Sequence, residues 1–399
     1  MNFALAKTEH ALPLPALPDW SDTMRIEIAE TMGAAEAPWR ALLAQDCFAT
    51  AFQDYDLCAL WFENVGAPAG YRPFVVIGRD QAGNPLFVWP LVTHAVAGCR
   101  VASFFCGRHA NDGATLWRRD AAASITLSGL HTILRRIAAC GIDALALHNQ
   151  PANVRGIANP LLLLPHQPAP DKTYSLSLDG TADQILASRY NSDTRRKLRR
   201  KERHLAELPG YRYLRVTDTR QIERCISEFL KQKAARLAAR GISNAFDEPG
   251  MDAFMRAACH SRLAVGSPLI EIHILECDSE ILALFSGIHD RYCFSTMFNS
   301  YTLSQHARMS PGLILLLKLV EDCARRGFER LSLGVGAAEY KLSLCDTIEQ
   351  PYDSVIGLSA RGHAFALTKR AMRAVKSKIK NNPKLWNLVS KGRTQLFAR

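Results

Sequence analysis

The sequence predicts a mixed α/β protein made of two small α/β units followed by a basic C-terminal helix. Three observations point there. The chain has 399 residues, about twice an ordinary domain. It is 48% hydrophobic and 22% charged, the balance of a globular protein with a real core. Both halves also run in the same outline: a hairpin, a further strand, a helix closed by glycine, then a strand. This is a repeat of architecture, without visible sequence identity.

Residues 1–34 open Pro- and Ala-rich and are expected to be poorly ordered. The N-terminal half is placed at 35–165. Trp39 to Cys47 and Phe52 to Asn64 read as helices, with Trp61 and Phe62 in the core. Arg72–Gly78 and Pro85–Leu91 are apolar runs around the Gly/Asn turn Asp80–Asn84, which makes a hairpin. Val101 to Cys106 continues as a strand. The helix from Thr126 to Cys140 stops at Gly141, and Ile142 to Leu147 returns as a strand.

The Pro-rich stretch Asn159–Pro170 marks the boundary to a second unit, 166–360. Tyr174 to Leu178 alternates as a strand does. Ala182 to Leu208 reads as one highly basic helix, and Gln221 to Ala239 as another. Leu269–Cys277 and Ile281–His289 form a hairpin around Asp278-Ser279-Glu280, and Tyr292–Tyr301 adds a third antiparallel strand. The helix Pro311–Arg326, capped by Gly327, leads to the strand Arg330–Leu333. Tyr352 to Ser359 is expected to close this second sheet.

Charge is uneven. The chain carries 49 Lys/Arg and 38 Asp/Glu, yet residues 361–399 alone hold eleven basic residues and no acid. The body is therefore neutral, and attraction to anions belongs mostly to the tail. The eleven cysteines form no Cys-x-x-Cys pair, which fits reduced buried thiols and argues against structural zinc. The start lacks the basic-then-apolar pattern of a signal peptide, and the longest apolar run, Leu313–Leu317, is too short to span a bilayer. A cytoplasmic protein, peripheral to a membrane at most, is expected, with no metal.

The stretch with the most chemistry lies between residues 310 and 341. Ser310 is a good N-cap, Pro311 suits the first helical position, and Gly312 leaves the first-turn amides open to a phosphate. Arg308 and His306 stand just before it. After the next strand, Gly334 and Gly336 either permit a turn with positive φ or let an extended ligand arm approach the strand edge. Tyr340 and Lys341 follow. Either they pack and solvate as ordinary residues, or Tyr340 protonates a leaving thiolate and Lys341 steadies an oxyanion. Glu271, His273 and His289 are candidate bases, and Glu271 and His273 share a strand face. His273 is the named candidate, against the plainer reading of a structural sheet histidine.

In this order, Ser310-Pro311-Gly312 with its apolar helix, then a strand, then Gly336 to Tyr340-Lys341, the chain resembles the acyltransferase domain of the CelD-like family. That family belongs to the GNAT superfamily of acyl-CoA N-acyltransferases and is related to the FemAB-like aminoacyl transferases. Asn191 to Arg203 is similar to the basic segment that opens this domain, and Asp80 to Leu91 looks like the family's N-terminal half. The resemblance covers about residues 35–360. It implies tandem GNAT-like domains, an acyl-CoA donor held near Arg308, Ser310, Gly312, Gly334 and Gly336, and a reacting centre at Tyr340 and Lys341. The acceptor would be an amine, small or sugar-linked, with a place in polysaccharide or cell-envelope synthesis. Relatives often have Asp where this chain has Ser332, which puts a carboxylate-dependent role there in doubt.

Two alternatives stay open: a transferase using charged tRNA, and a catalytically degenerate scaffold at a membrane surface. Arg195, Arg199 and Arg203 share one helix face at i, i+4 spacing and could hold the phosphates of either donor, or simply be solvated. In the tail, Phe365, Thr368, Met372, Val375 and Ile379 form an apolar stripe opposite Lys369, Arg370, Arg373, Lys376 and Lys380. This helix is expected either to dock on the body with its basic face in water or to attach to an anionic membrane with Trp386 at the interface.

Overall fold

The computed structural model describes residue 20 and residues 23–239, 241–262 and 266–381. The opening segment before Trp20 and the segment around Trp386 lie outside the described residues. The first half contains β1 (Arg25–Ala29), α1 (Met32–Leu43), β2 (Cys47–Phe48), α2 (Tyr55–Trp61), β3 (Arg72–Arg79), β4 (Pro85–Val96), β5 (Cys99–Phe104), β6 (Leu116–Arg118), α3 (Arg119–Ser124), α4 (Leu127–Ala139) and β7 (Ala144–Gln150). A short ladder, β8 (Asn153–Val154) and β9 (Ile157–Ala158), leads to β10 (Gln167–Pro168).

The second half runs β11 (Thr173–Ser177), α5 (Ala182–Arg189), α6 (Ser192–Ala206), β12 (Arg212–Val216), α7 (Thr219–Ala238), α8 (Met251–His260), β13 (Glu271–Glu276), β14 (Ile281–His289), β15 (Cys293–Tyr301), α9 (Pro311–Arg325), β16 (Arg330–Val335), α10 (Glu339–Leu344) and β17 (Thr347–Glu349). The chain closes with β18 (Tyr352–Gly357) and α11 (Ala360–Asn381).

Each half is a mixed sheet whose described strands include one parallel pair. The first sheet has the order β1-β3-β4-β5-β7-β18-β10, and the second β12-β13-β14-β15-β16-β11-β17. The parallel pairs are β5 with β7 and β15 with β16. Parallel neighbours need a crossover, and α4 and α9 supply it. Both crossover helices end as expected, at Gly141 (φ +78°) and Gly327 (φ +79°), because a left-handed residue frees the chain to turn back toward the sheet. The two hairpins form where the turn residues placed them.

The halves share an apolar core. Trp39, Leu57 and Trp61 of the first half lie in one buried cluster with Ile226, Phe229 and Phe254 of the second. Across this seam Arg262 Nη2 is 2.9 Å from Asp54 and also pairs with Asp56. Gly250 (φ +84°) sits so close that a Cβ would lie 1.9 Å from the Asn64 carbonyl oxygen. Side chains there would push the halves apart, so their relative placement is built into the packing.

Several expectations need correction. Arg25–Ala29 is not loose but a strand, paired along its length with β3. The basic stretch 182–208 is two helices. Tyr190 is extended (φ −124°) and the Asn191 side chain caps α6 by accepting from Thr194 N, so a local cap overrides the helical propensity of the run. Tyr352–Gly357 does not close the second sheet. It inserts into the first, between β7 and β10, because Asp353 accepts there from Asn149 N at 2.9 Å and pairs with Arg373.

The tail helix also docks the other way round. Arg370 donates to the Val355 carbonyl at 2.9 and 2.6 Å, and Arg373 reaches the fully buried Asp353. Leu367, Met372 and Val375 are 66%, 60% and 57% exposed. Buried acceptors on the first sheet draw Arg370 and Arg373 inward, and Met372 and Val375 of the apolar stripe are left in water while Phe365 is half-buried. Among the described residues no helix is long and apolar enough to cross a membrane.

Candidate active site

The centre of the second sheet splits. β15 and β16 pair only from Cys293↔Arg330 to Ser295↔Ser332, after which both continue apart. Opposite the split, β15 carries a bulge that Ser286 fills, its hydroxyl donating to the Phe298 carbonyl and accepting from Phe298 N, both at 3.1 Å. A bulge strengthens local twist and re-aims the strand. It turns the far end of β15 away from β16.

Alternation along these strands gives the sheet two unlike faces. Phe294, Leu331 and Leu333 lie in the apolar cluster with α9. Cys293, Ser295 and Ser332 point the other way, into a cavity of about 950 Å³ between the two halves. Six carboxylates and three arginines line that cavity. Asp46 is taken up by Arg119 and Arg155, and Glu349 lies 3.1 Å from Arg330. The remaining lining is net acidic and rich in Ser, Thr, Asn and Tyr.

On the α9 face, Ser310 begins the helix in the left-handed region (φ 57°) and its side chain does not cap. Instead Lys201 Nζ donates to Ser310 Oγ at 2.8 Å. The amides of Leu313 and Ile314 both donate to the Ser310 carbonyl, and Pro311 has no N–H. The Gly312 N–H is thus the first-turn donor without a partner among the described residues. Arg308 is exposed beside it. The ring of Tyr301 closes the other side, 3.2 Å from where a Gly312 Cβ would stand.

Tyr301 links this helix start to Tyr340. Tyr340 is hydrogen-bonded to the Asn299 side chain, and burial holds its phenol above the usual range. Arg236 lies over the Tyr301 ring at 3.9 Å, and Lys233 Nζ donates to the Asn299 carbonyl at 3.2 Å. Burial, with Arg236 nearby, brings Lys233 down to about 8. Lys341 is buried on α10 and donates to the carbonyls of Gly334 (3.2 Å) and Val335 (3.1 Å). Burial lowers it to about 8 as well, and one of its three donors remains unspent.

Gly334 (φ +73°) serves a close approach. A Cβ there would lie 2.4 Å from Asn111 Nδ2, and Asn111 Nδ2 itself donates to the Thr296 carbonyl at 2.7 Å. A loop of the first half therefore plugs the split between β15 and β16. Gly336 (φ +91°) faces open space.

The next residue of that loop is the one the sequence reading missed. Asp112 lines the cavity, and its carboxyl forms no hydrogen bond or ion pair among the described residues. Burial, with the negative charge of Glu349, pushes it up to about 7. No periodicity marks it. The sequence signal is only Asn111-Asp112-Gly113, a turn-like tripeptide.

His273 is elsewhere. It is fully buried beneath the last turns of α9, 3.3 Å from Glu271 and accepting or donating at 2.8 Å with the Tyr213 hydroxyl. Glu271 also meets His289 at 3.0 Å and takes two bonds from Arg326 at 2.7 Å. Burial alone would raise this carboxyl, but His273, His289 and Arg326 hold it far below the ordinary range. Gly312 stands three to four helical turns away along α9, roughly 15–20 Å.

The two mixed sheets and the split parallel pair define the class: a tandem α/β fold whose second sheet parts between β15 and β16. Residues 192–342 match the family model described as an acetyltransferase (GNAT) domain. No curated protein matches the sequence. Among solved structures, FemX is similar over 82% of this chain and 96% of its own, at 9% identity and a TM-score of 0.57. A conserved protein of unknown function from Bacteroides thetaiotaomicron VPI-5482 covers 83% of this chain and 100% of its own, at 12% identity and 0.55. The C-terminal domain (DUF2156) of a putative lysylphosphatidylglycerol synthetase from Agrobacterium fabrum covers 86% and 96%, at 12% and 0.50. The likeness to these structures is one of fold. The chain has a two-unit mixed α/β fold of this kind, and residues 192–342 of its second half are similar to an acetyltransferase (GNAT) domain.

Proposed function

We propose that this protein transfers an acyl group from acyl-CoA to the amine of a small or sugar-linked acceptor, in the manner of the CelD-like family and in support of polysaccharide or cell-envelope synthesis. The observation that carries this reading is the split sheet: a helix start with a free amide on one face, and an acidic, hydroxyl-rich cavity on the other. The donor lies along the α9 side, its pyrophosphate at Gly312 N–H and Arg308, and its thioester ends near Gly336, which faces open space beyond the Asn111 loop that fills the split at Gly334. The acceptor enters the cavity between the halves, where surplus carboxylates favour a cationic amine.

The chemistry follows from these positions. The acceptor gives up one proton to solvent in the cavity, its neutral nitrogen attacks the thioester carbonyl, and Asp112 takes the second proton as the carbon–nitrogen bond forms. The carbonyl oxygen gains the negative charge, which the spare N–H of Lys341 steadies. Collapse breaks the carbon–sulfur bond, and the Tyr340 hydroxyl protonates the leaving thiolate. Asp112 fills the base role better than His273, which is sealed in an ion-paired network, and it supplies a carboxyl to the cavity where Ser332 offers only a hydroxyl. A charged-tRNA donor is the second reading, favoured by the arginines of α6. Reversible attachment to an anionic membrane through α11 accompanies either one.

Isothermal titration of the full chain with acetyl-CoA and a longer acyl-CoA tests the donor. Saturable binding by wild type and its loss in Gly312→Trp are expected, since an indole has no room beside Tyr301. A well-folded wild type that binds neither ligand overturns the acyl-CoA reading.

A further inference from the structure

We propose that Lys233 is a self-acylation site, its side-chain amine taking the acyl group from a CoA-type donor bound to the same chain. This rests on the acyl-CoA reading and adds an acceptor that the protein carries itself.

The backbone of β15 places the amine. Thr302 N donates to the Leu282 carbonyl, and Ser286 Oγ bonds both the N–H and the C=O of Phe298. Residues 298 and 302 therefore turn their backbone groups toward β14. Alternation sends those of Asn299 and Tyr301 to the opposite edge, the one that faces the split. Lys233 Nζ donates to that Asn299 carbonyl at 3.2 Å. Reaching from α7, the half-buried lysine thus ends at the open edge of β15. The side chain of the same Asn299 holds Tyr340, the group assigned to protonate the leaving thiolate. A thioester whose sulfur lies against Tyr340 is about one residue's width from Nζ, a gap the flexible lysine stem can close.

The amine is also prepared for attack. Nζ stands 5.9 and 5.5 Å from the ring centroids of Phe229 and Phe246, and among the described residues it has no carboxylate partner. Arg236, one turn on, stacks over Tyr301 and is a second cation without a carboxylate. With burial, that neighbour brings Lys233 down to about 8. About a tenth of it is then neutral at pH 7, against well under a hundredth of a lysine in water. Lys341 is lowered equally but gives two N–H groups to carbonyls. In the transfer, the Lys233 ammonium releases one proton to solvent and neutral Nζ attacks the thioester carbonyl carbon. The carbon–nitrogen bond forms and the carbon–sulfur bond breaks. Tyr340 gives its proton to sulfur and recovers one from the nitrogen, which leaves acylated Lys233 and free CoA thiol. The new amide keeps one N–H for the Asn299 carbonyl, and the charge beside the two phenyl rings is gone.

The test incubates the full chain with acetyl-CoA and with a longer acyl-CoA, reading intact mass and modified peptides beside calorimetric binding of the same ligands. One acyl group per chain is expected, on Lys233, at a rate independent of protein concentration. That rate should exceed the rate at Lys231, exposed on the same helix, by at least about tenfold. Lys233→Arg keeps a cation and a donor for Asn299, so it should bind donor as wild type does and lose the label. Gly312→Trp should lose both. Wild type that binds donor without becoming labelled overturns the proposal and leaves the donor reading intact. Label on Lys341, or spread over exposed lysines and indifferent to Gly312→Trp, overturns it as well. Failure to bind either ligand removes both readings.

Discussion

Replacing Asp112 by asparagine should remove a titration from the pH profile of acyl transfer. In the native protein the carboxyl is held at about 7 by burial and by Glu349. Its ionised fraction then rises from roughly a tenth at pH 6 to roughly nine-tenths at pH 8. If the ionised form takes the amine's proton, kcat/KM climbs about tenfold over that window. A side-chain amide at this position would accept no proton, so the variant should lose the limb and fall about a hundredfold at pH 8. The acceptor's own titration is common to both proteins and cancels in their ratio. Stability gives an independent sign. A carboxyl that ionises later in the native state than in the unfolded chain lowers stability as pH rises from about 4 to about 7. Asp112→Asn should therefore gain most, relative to wild type, above pH 7, as chemical denaturation at pH 5 and pH 8 would read. An asparagine variant that keeps the tenfold limb would refute the assignment of Asp112 as base.

The buried network under α9 predicts stability and not chemistry. Glu271→Gln leaves Arg326 facing an uncharged partner and should destabilise by about 3 kcal/mol, with KM for the donor unchanged; an unaltered melting temperature counts against it. Because the Glu271 carboxyl is held below its ordinary value, its contribution is present above pH ~4.5 and is lost only as pH falls through the lower native value. The tail predicts a partner. With Leu367, Met372 and Val375 outward and eleven basic residues in 361–399, the full chain should sediment with anionic vesicles at low salt and not with zwitterionic ones. Leu367→Glu/Met372→Glu should abolish this, and a wild type indifferent to anionic vesicles sinks it.

What the sequence determined by itself is what short stretches of chain decide. Thr126 caps α4 and Gly141 ends it; Pro311 starts α9 and Gly327 ends it; Asp80 to Asn84 and Asp278 to Glu280 fold the hairpins. Each rests on backbone preferences and hydrogen bonds within a few residues, so each could be read in order along the chain. The fold class followed, because two such sets repeat. The order of motifs from Ser310 to Lys341 also carried the likeness to acyltransferases, and Gly312, Tyr301 and Tyr340 do meet at one end of β15.

Only the tertiary structure decided who meets whom. β18 alternates as any half-buried strand does, and nothing in it says which sheet has a vacant edge. The faces of α11 are plain in the sequence, but Val355 and Asp353 on β18, once that strand had inserted into the first sheet, turned the arginines inward. His273 shares a strand face with Glu271 as expected, yet α9 sealed that face. Asp112 is ordinary in its own loop and becomes unusual only because the fold places it, partly buried, in the cavity near the negative charge of Glu349. Charge, burial and proton affinity at a site are properties of its surroundings, and those surroundings come from distant parts of the chain.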